Sequence, residues 1–107
     1  MAKREERRTS HYKRLAANFL LPLFGPGLLV TVTECAMSEN LRHVTCFLRV
    51  FPKDKRDEAI LLANRHKGGL RAEAAKESRS HFVPDFTFAA DPSEAIDDLL
   101  GGLKSEE

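Results

Sequence analysis

Tryptophan is absent from this chain of 107 residues, tyrosine occurs once, and cysteine occurs twice. Two cysteines cannot build the disulfide framework of a small secreted domain, so Cys35 and Cys46, each in an apolar stretch, read as buried thiols in a reducing compartment. A zinc site would need Cys35, His43 and Cys46 to converge with a fourth ligand, and that spacing matches no common zinc pattern. Aromatic residues make up 7% of the chain, which leaves no aromatic-rich basic surface on which unpaired bases would stack. No glycine loop joins a strand to a helix, so the nucleotide-binding fingerprints are missing. The four histidines fall in four different elements, so no catalytic constellation of nucleophile, base and carboxylate emerges, and neither a cofactor nor a small-molecule substrate is expected.

What remains is enough for one compact domain and too little for two, with 42% hydrophobic and 31% charged residues. The net charge of +1 conceals a strong polarity. Residues 1 to 14 hold six bases and two acids, residues 15 to 52 two of each, residues 53 to 81 eight bases and five acids, and residues 82 to 107 one base and seven acids. A basic start and a basic third quarter call for a polyanionic partner.

Residues Leu15 to Thr33 contain no charge across 19 positions and follow a basic leader, as in a signal anchor. Asn18, Pro22 and Gly25-Pro26-Gly27 break that run where lipid would leave backbone groups unpaired, and Glu5 and Glu6 interrupt the leader. No membrane association is expected, and the location is read as cytoplasmic.

The spacing of Tyr12, Leu15, Ala16, Phe19, Leu20 and Leu23 predicts a first helix, capped by Thr9 or Ser10 and ended or kinked by Pro22. Residues 1 to 8 read as a flexible basic arm. Leu28, Val30 and Val32 alternate until the apolar parity shifts to Cys35 and Met37, which predicts a strand with a bulge near Thr33-Glu34. Ser38-Glu39-Asn40 turns the chain, and Val44, Cys46, Leu48 and Val50 line one face of the returning strand. Phe47 and Phe51 on that strand are expected to pack against a helix. A helix over 54–67 turns Ala59, Leu62, Ala63 and His66 inward, Gly68-Gly69 kinks it, and a second helix over 70–80 turns Leu70, Ala74 and Ser78 inward. Asp85-Phe86-Thr87-Phe88 forms a third strand. Asp91 then caps a last helix through Ile96, Leu99 and Leu100, and 104–107 fray as an acidic tail.

The glycine corner is the strongest functional candidate. Arg65, His66, Lys67, Arg71, Lys76 and Arg79 surround it, and a helix starting there presents N–H groups and bases to a phosphate.

The order αββααβ, the strand Val30-Thr31-Val32-Thr33 leading to Met37-Ser38 and Leu41, the Gly68-Gly69-Leu70-Arg71 corner, and Phe82-Val83-Pro84-Asp85-Phe86-Thr87-Phe88 with Asp91 resemble the ribosome-binding factor A family. The resemblance covers roughly residues 9 to 100. Three places depart from the family pattern: His66-Lys67-Gly68 stands where the family carries Ala-x-Gly, Pro22 comes early, and Gly25-Pro26-Gly27 replaces an Asp-Pro-Arg entry to the first strand.

The resemblance implies an α+β fold with a single type II KH-like domain over residues 9–103, in αββααβ order with a C-terminal helix. It implies a non-enzymatic, monomeric factor that binds 16S rRNA and free small ribosomal subunits and assists late maturation, including processing of the 5′ end. RNA would meet Arg65, His66, Lys67, Gly68, Gly69, Arg71, Lys76 and Arg79, with the basic stretch Lys3 to Arg14, Lys13 and Arg14 included, as an auxiliary contact. The competing reading is a protein-interaction adaptor that uses the hairpin and the acidic C-terminal helix.

Overall fold

The computed structural model describes residues 2–77 and 82–94. A first helix, α1 (Ala2–Leu20), passes through a short 3-10 turn at Leu21–Leu23 into the strands β1 (Leu29–Met37) and β2 (His43–Phe51). A second 3-10 turn (Lys53–Lys55) leads to α2 (Arg56–Arg65), which is followed by α3 (Lys67–Glu77) and the strand β3 (Asp85–Ala90). The sheet order is β1-β2-β3, with β1 and β2 antiparallel and β2 and β3 parallel. A parallel neighbour requires a crossover, and α2 with α3 supplies it.

Alternation in sequence becomes two faces in space. Val32 and Cys35 of β1, Val44, Cys46, Leu48 and Val50 of β2, and Phe86 and Phe88 of β3 are buried in one core with Ala16, Leu20, Ala59, Ala63, Leu70 and Ala74 of the helices. The inward parity of β1 changes between Val32 and Cys35 because the register slips between Val32 and Glu34, leaving Thr33 as the bulged residue. Cys35 and Cys46 face each other across the two strands as free buried thiols, with their Sγ atoms 3.4 Å apart. The two thiols share a hydrogen bond: a Cys46 S–H held toward the Cys35 sulfur lowers the pKa of Cys35 and, together with burial, raises that of Cys46.

Several boundaries differ from the sequence reading. Residues assigned to the arm continue α1 back to Ala2, so Thr9 and Ser10 lie within the helix. The reason is local: Ala, Lys, Arg and Glu are strong helix formers, and no Gly or Pro interrupts them. Phe51 is 70% exposed and pairs across the strands with Leu29, 65% exposed, on the face of the sheet opposite the core. Position decides this, since Phe51 alternates out of phase with Val50.

Most of the expected last helix, including Ile96, Leu99 and Leu100, lies outside the described residues, but its start is clear. Asp91 Oδ1 accepts the Ser93 N–H at 2.9 Å and Pro92 occupies the first helical position. Glu94, which the sequence shows only as one of seven acids in residues 82 to 107, is 5% exposed. Beyond the last β2–β3 pair, the Asp91 N–H donates to the Leu48 carbonyl (2.9 Å) and Glu94 Oε1 accepts the Val50 N–H (3.0 Å). A side-chain carboxylate thus stands in for the strand that β3 no longer supplies. Its other oxygen accepts from Arg56 Nη1 at 2.8 Å, so the buried charge is both paired and hydrogen-bonded.

Candidate nucleic-acid interface

The corner between α2 and α3 is held from both sides. Before it, the Asn64 carboxamide donates to the Phe88 carbonyl (2.9 Å) and accepts the Phe88 N–H (2.8 Å). These two bonds tie the end of α2 to the edge strand of the sheet and satisfy backbone groups that an edge would leave open. After it, Arg71 Nε reaches Asp85 Oδ1 at 3.2 Å and Arg71 Nη2 lies 3.4 Å from the Val83 carbonyl, which fixes α3 against the start of β3.

The break itself is one residue, His66, with φ −104° and ψ 7°. Its N–H donates to the Ala63 carbonyl (3.1 Å), and its carbonyl accepts the Gly69 N–H (2.9 Å). Gly68 and Gly69 therefore do not form the kink; they belong to the first turn of α3. Neither has a positive φ, so conformational freedom does not account for them. Space does at one of the two: a β-carbon on Gly69 would meet the ring of Phe19 at 3.1 Å, whereas one on Gly68 would meet nothing within 4 Å. Gly69 lets α1 approach α3. The bond from Gly69 to His66 also removes one amide from the phosphate seat expected there.

The predicted site residues sort by what their side chains touch. His66 is exposed and not turned inward. Arg71 is engaged by Asp85, and Lys76 by Glu73 at 3.2 Å on its own helix. Arg79 and Ser78 lie outside the described residues. Arg65 and Lys67 are exposed and make no side-chain ion pair or hydrogen bond among the described residues. Lys13 and Arg14 are exposed on α1. After the hydrogen bond with Cys46, Lys13 adds a smaller electrostatic lowering of the Cys35 thiol pKa. By helical spacing Arg14 falls nearer His11, whose Nε2 lies 3.1 Å from Glu77 of α3. The groove between α1 and α3, about 630 Å³, is lined at one end by Arg65 and His66 and at the other by Glu73 and Glu77. Among the residues lining the groove, the basic side chain is thus at the corner end and the carboxylates at the other.

Helix dipoles separate the two free bases. Arg65 lies in the last turn of α2, where a positive charge adds about 0.3–1 kcal/mol of stability. Lys67 opens α3, where the same charge opposes the dipole. Lys67 is exposed, unpaired among the described residues and placed against its own helix's field, so folding does not explain it.

Sequence reasoning missed a second cluster. Arg8 and Tyr12 of α1, Leu41 and Arg42 of the β1–β2 turn, and Phe82 before β3 line a pocket of about 390 Å³ at the hairpin end of the sheet. Burial raises the Tyr12 phenol pKa, with the Arg8 guanidinium opposing that shift. The Tyr12 ring packs edge-on against Phe86 with centroids 5.3 Å apart. These residues come from three distant segments, so no local motif could have announced them.

Comparison with known proteins places the chain. The family profile described as ribosome-binding factor A matches residues 4–99. The chain is 45% identical over 80 residues to ribosome-binding factor A of Parvibaculum lavamentivorans, covering 69% of this chain and 56% of that protein. It spans about half the length of the curated relatives it matches. A solution NMR structure of a Thermotoga maritima ribosome binding factor A candidate superposes with TM-score 0.73 at 26% identity, covering 85% of this chain and 90% of that one. A homology model of Thermus thermophilus ribosome binding factor A, fitted into a cryo-electron-microscopy map of its complex with 30S, gives 0.64 at 23% identity, covering 76% and 88%. The fold is therefore KH-like, and the chain belongs to the ribosome-binding factor A family.

Proposed function

We propose that this protein is a small-subunit assembly factor that binds the immature 30S particle through the exposed α2–α3 corner and acts without catalysing a reaction. Family membership and the 30S complex of the Thermus relative support the partner. The observation that carries the site is Lys67, a solvent-exposed base that stability does not explain. Arg65 stands beside it, while Arg71 is oriented by Asp85 at the flank. Such a corner suits the phosphates and 2′-hydroxyls of structured RNA, where shape and charge count for more than base edges. The finer role is late maturation of 16S rRNA, including its 5′ end, by a monomer in the cytoplasm. No helix among the described residues is long and apolar enough to cross a membrane.

Sedimentation of extract through a sucrose gradient at low and moderate salt tests this. The protein is expected with free small subunits at low salt and at the top of the gradient at moderate salt, through counterion release. Arg65→Glu combined with Lys67→Glu should move it to the top in both, with an unchanged unfolding midpoint. Unaltered cosedimentation of that variant would refute the site. The exposed Leu29–Phe51 pair favours one other reading, a protein-docking adaptor. Its apolar contact would persist at moderate salt.

A further inference from the structure

We propose that the pocket at the hairpin end holds one unpaired nucleotide of RNA, with Phe82 and Tyr12 walling the base and Arg8 and Arg42 holding its phosphates. This rests on the RNA-binding reading above and adds to it a second contact, of a different kind from the corner. Four observations point to it. The pocket, at about 390 Å³, is of nucleotide size, and no carboxylate is among the described residues that line it. Two arginines from separate elements converge on it, which is charge complementarity to an anion and not to another basic protein surface. Phe82 is 52% exposed, so part of its ring faces solvent on the side a base would cover.

The fourth observation is that the pocket wall is fixed in advance. Ser38 Oγ donates to Asn40 Oδ1 (2.7 Å) and accepts the His43 N–H (3.1 Å), while the Arg42 N–H donates to Asn40 Oδ1 (3.0 Å). Within that brace Leu41 takes φ 61°, a left-handed conformation that leucine rarely adopts. The turn accepts this geometry, and Leu41 and Arg42 both line the pocket as a result. Arg71, pinned near Val83 and Asp85, lies between this end and the corner, so a strand of RNA could run from Lys67 past Arg71 to Phe82.

A fluorescein-labelled pentaadenylate and a blunt RNA duplex, each titrated against the full chain by anisotropy, test the pocket. Phe82→Ala should weaken pentaadenylate binding by roughly tenfold and leave duplex binding unchanged, while Phe82→Tyr should retain both. Arg42→Glu, at an exposed turn position that folding does not need, should weaken the pentaadenylate and lower its salt slope by about one. If Phe82→Ala and Arg42→Glu both leave pentaadenylate affinity unaltered, or if both RNAs weaken equally, the pocket assignment is wrong. A photocrosslinking residue at position 41 in the small-subunit complex should label RNA, and labelling of a ribosomal protein would replace the nucleotide with a protein partner. Cosedimentation separates the two levels. Wild-type protein that joins small subunits while the pocket variants bind pentaadenylate normally would overturn the pocket alone. A wild type that never joins them, yet binds pentaadenylate through Phe82, would overturn the subunit reading alone.

Discussion

The two ends of α2 carry arginines put to opposite uses. At the first residue Arg56, its side chain 27% exposed, meets Glu94 at 2.8 Å and helps close the β2–β3 ladder where β3 has run out. At the last residue Arg65 stands in solvent beside His66 and Lys67, with no side-chain partner among the described residues. Residue type alone does not separate them, for both are arginines at helix ends in a basic segment. Satisfaction does: a charge whose lone pairs and protons are all used belongs to the fold, and one left open is available to a ligand.

The largest effect that could break this contrast is at Glu94. Glu94→Ala should lower the unfolding free energy by about 3 kcal/mol, because it orphans the buried Val50 N–H and removes the ion pair with Arg56. In a domain this size that is a fall in Tm on the order of 15 °C, read by thermal unfolding. Glu94→Gln keeps an acceptor for Val50 and should cost about half as much. A loss of less than ~0.5 kcal/mol in the alanine variant would place Glu94 with ordinary surface acids.

At the other end, Lys67→Gln should leave unfolding within ~0.5 kcal/mol of wild type and weaken small-subunit association. The slope of log affinity against log salt should become shallower by about one. Arg56→Gln should do the reverse, destabilising the fold and leaving the salt slope alone. Equal salt slopes for wild type and Lys67→Gln would show that the base makes no phosphate contact.

Much of this was legible in the sequence, and the pattern of success is physical. Period-two alternation found β1, β2 and the buried cysteines, and a parity shift found the bulge at Thr33, because those signals depend on neighbours along the chain. Three features escaped. Glu94 reads from sequence only as one of seven acids in residues 82 to 107, since its partners Val50 and Arg56 lie 44 and 38 residues away. Phe82, Tyr12, Arg8 and Arg42 meet only through the fold. The helix break was assigned to glycine, whereas His66 makes it and Gly69 serves the packing of Phe19.

That last correction makes a prediction. Gly68 is helical with open space around it, so Gly68→Ala should stabilise the protein by about 0.5–1 kcal/mol through helix propensity. At Gly69 the same gain meets Phe19 at 3.1 Å, so Gly69→Ala should be near neutral or destabilising. The comparison by urea unfolding sharpens the account of the corner. Equal stabilisation at both positions would mean that Phe19 gives way freely and that α1 does not need the glycine.

An effect of similar size is expected at the cap that leads to Glu94. The Asp91 carboxylate faces the Thr33 hydroxyl first, and then the Ser93 N–H and hydroxyl, with Arg49 adding a weaker attraction, so its pKa lies below the ordinary 3.8. The Thr33 hydroxyl also lies 3.3 Å from the Phe47 carbonyl, and its single proton can serve only one acceptor at a time. A carboxyl depressed in the folded state contributes stability that is complete above the unfolded pKa and is lost as pH falls through the folded one. Asp91→Ala should therefore cost about 0.5–1 kcal/mol at neutral pH, as a lost N-cap does, and the gap between variant and wild type should close as the pH falls below about 4. Thr33→Val should bring the wild-type midpoint of that closure to higher pH, since removing the hydroxyl lets the carboxyl pKa rise toward its ordinary value. A gap that stays constant from neutral pH to well below the folded pKa would show that the Asp91 side chain stabilises the helix start without its charge, and that Glu94 is held in place by its own two bonds alone.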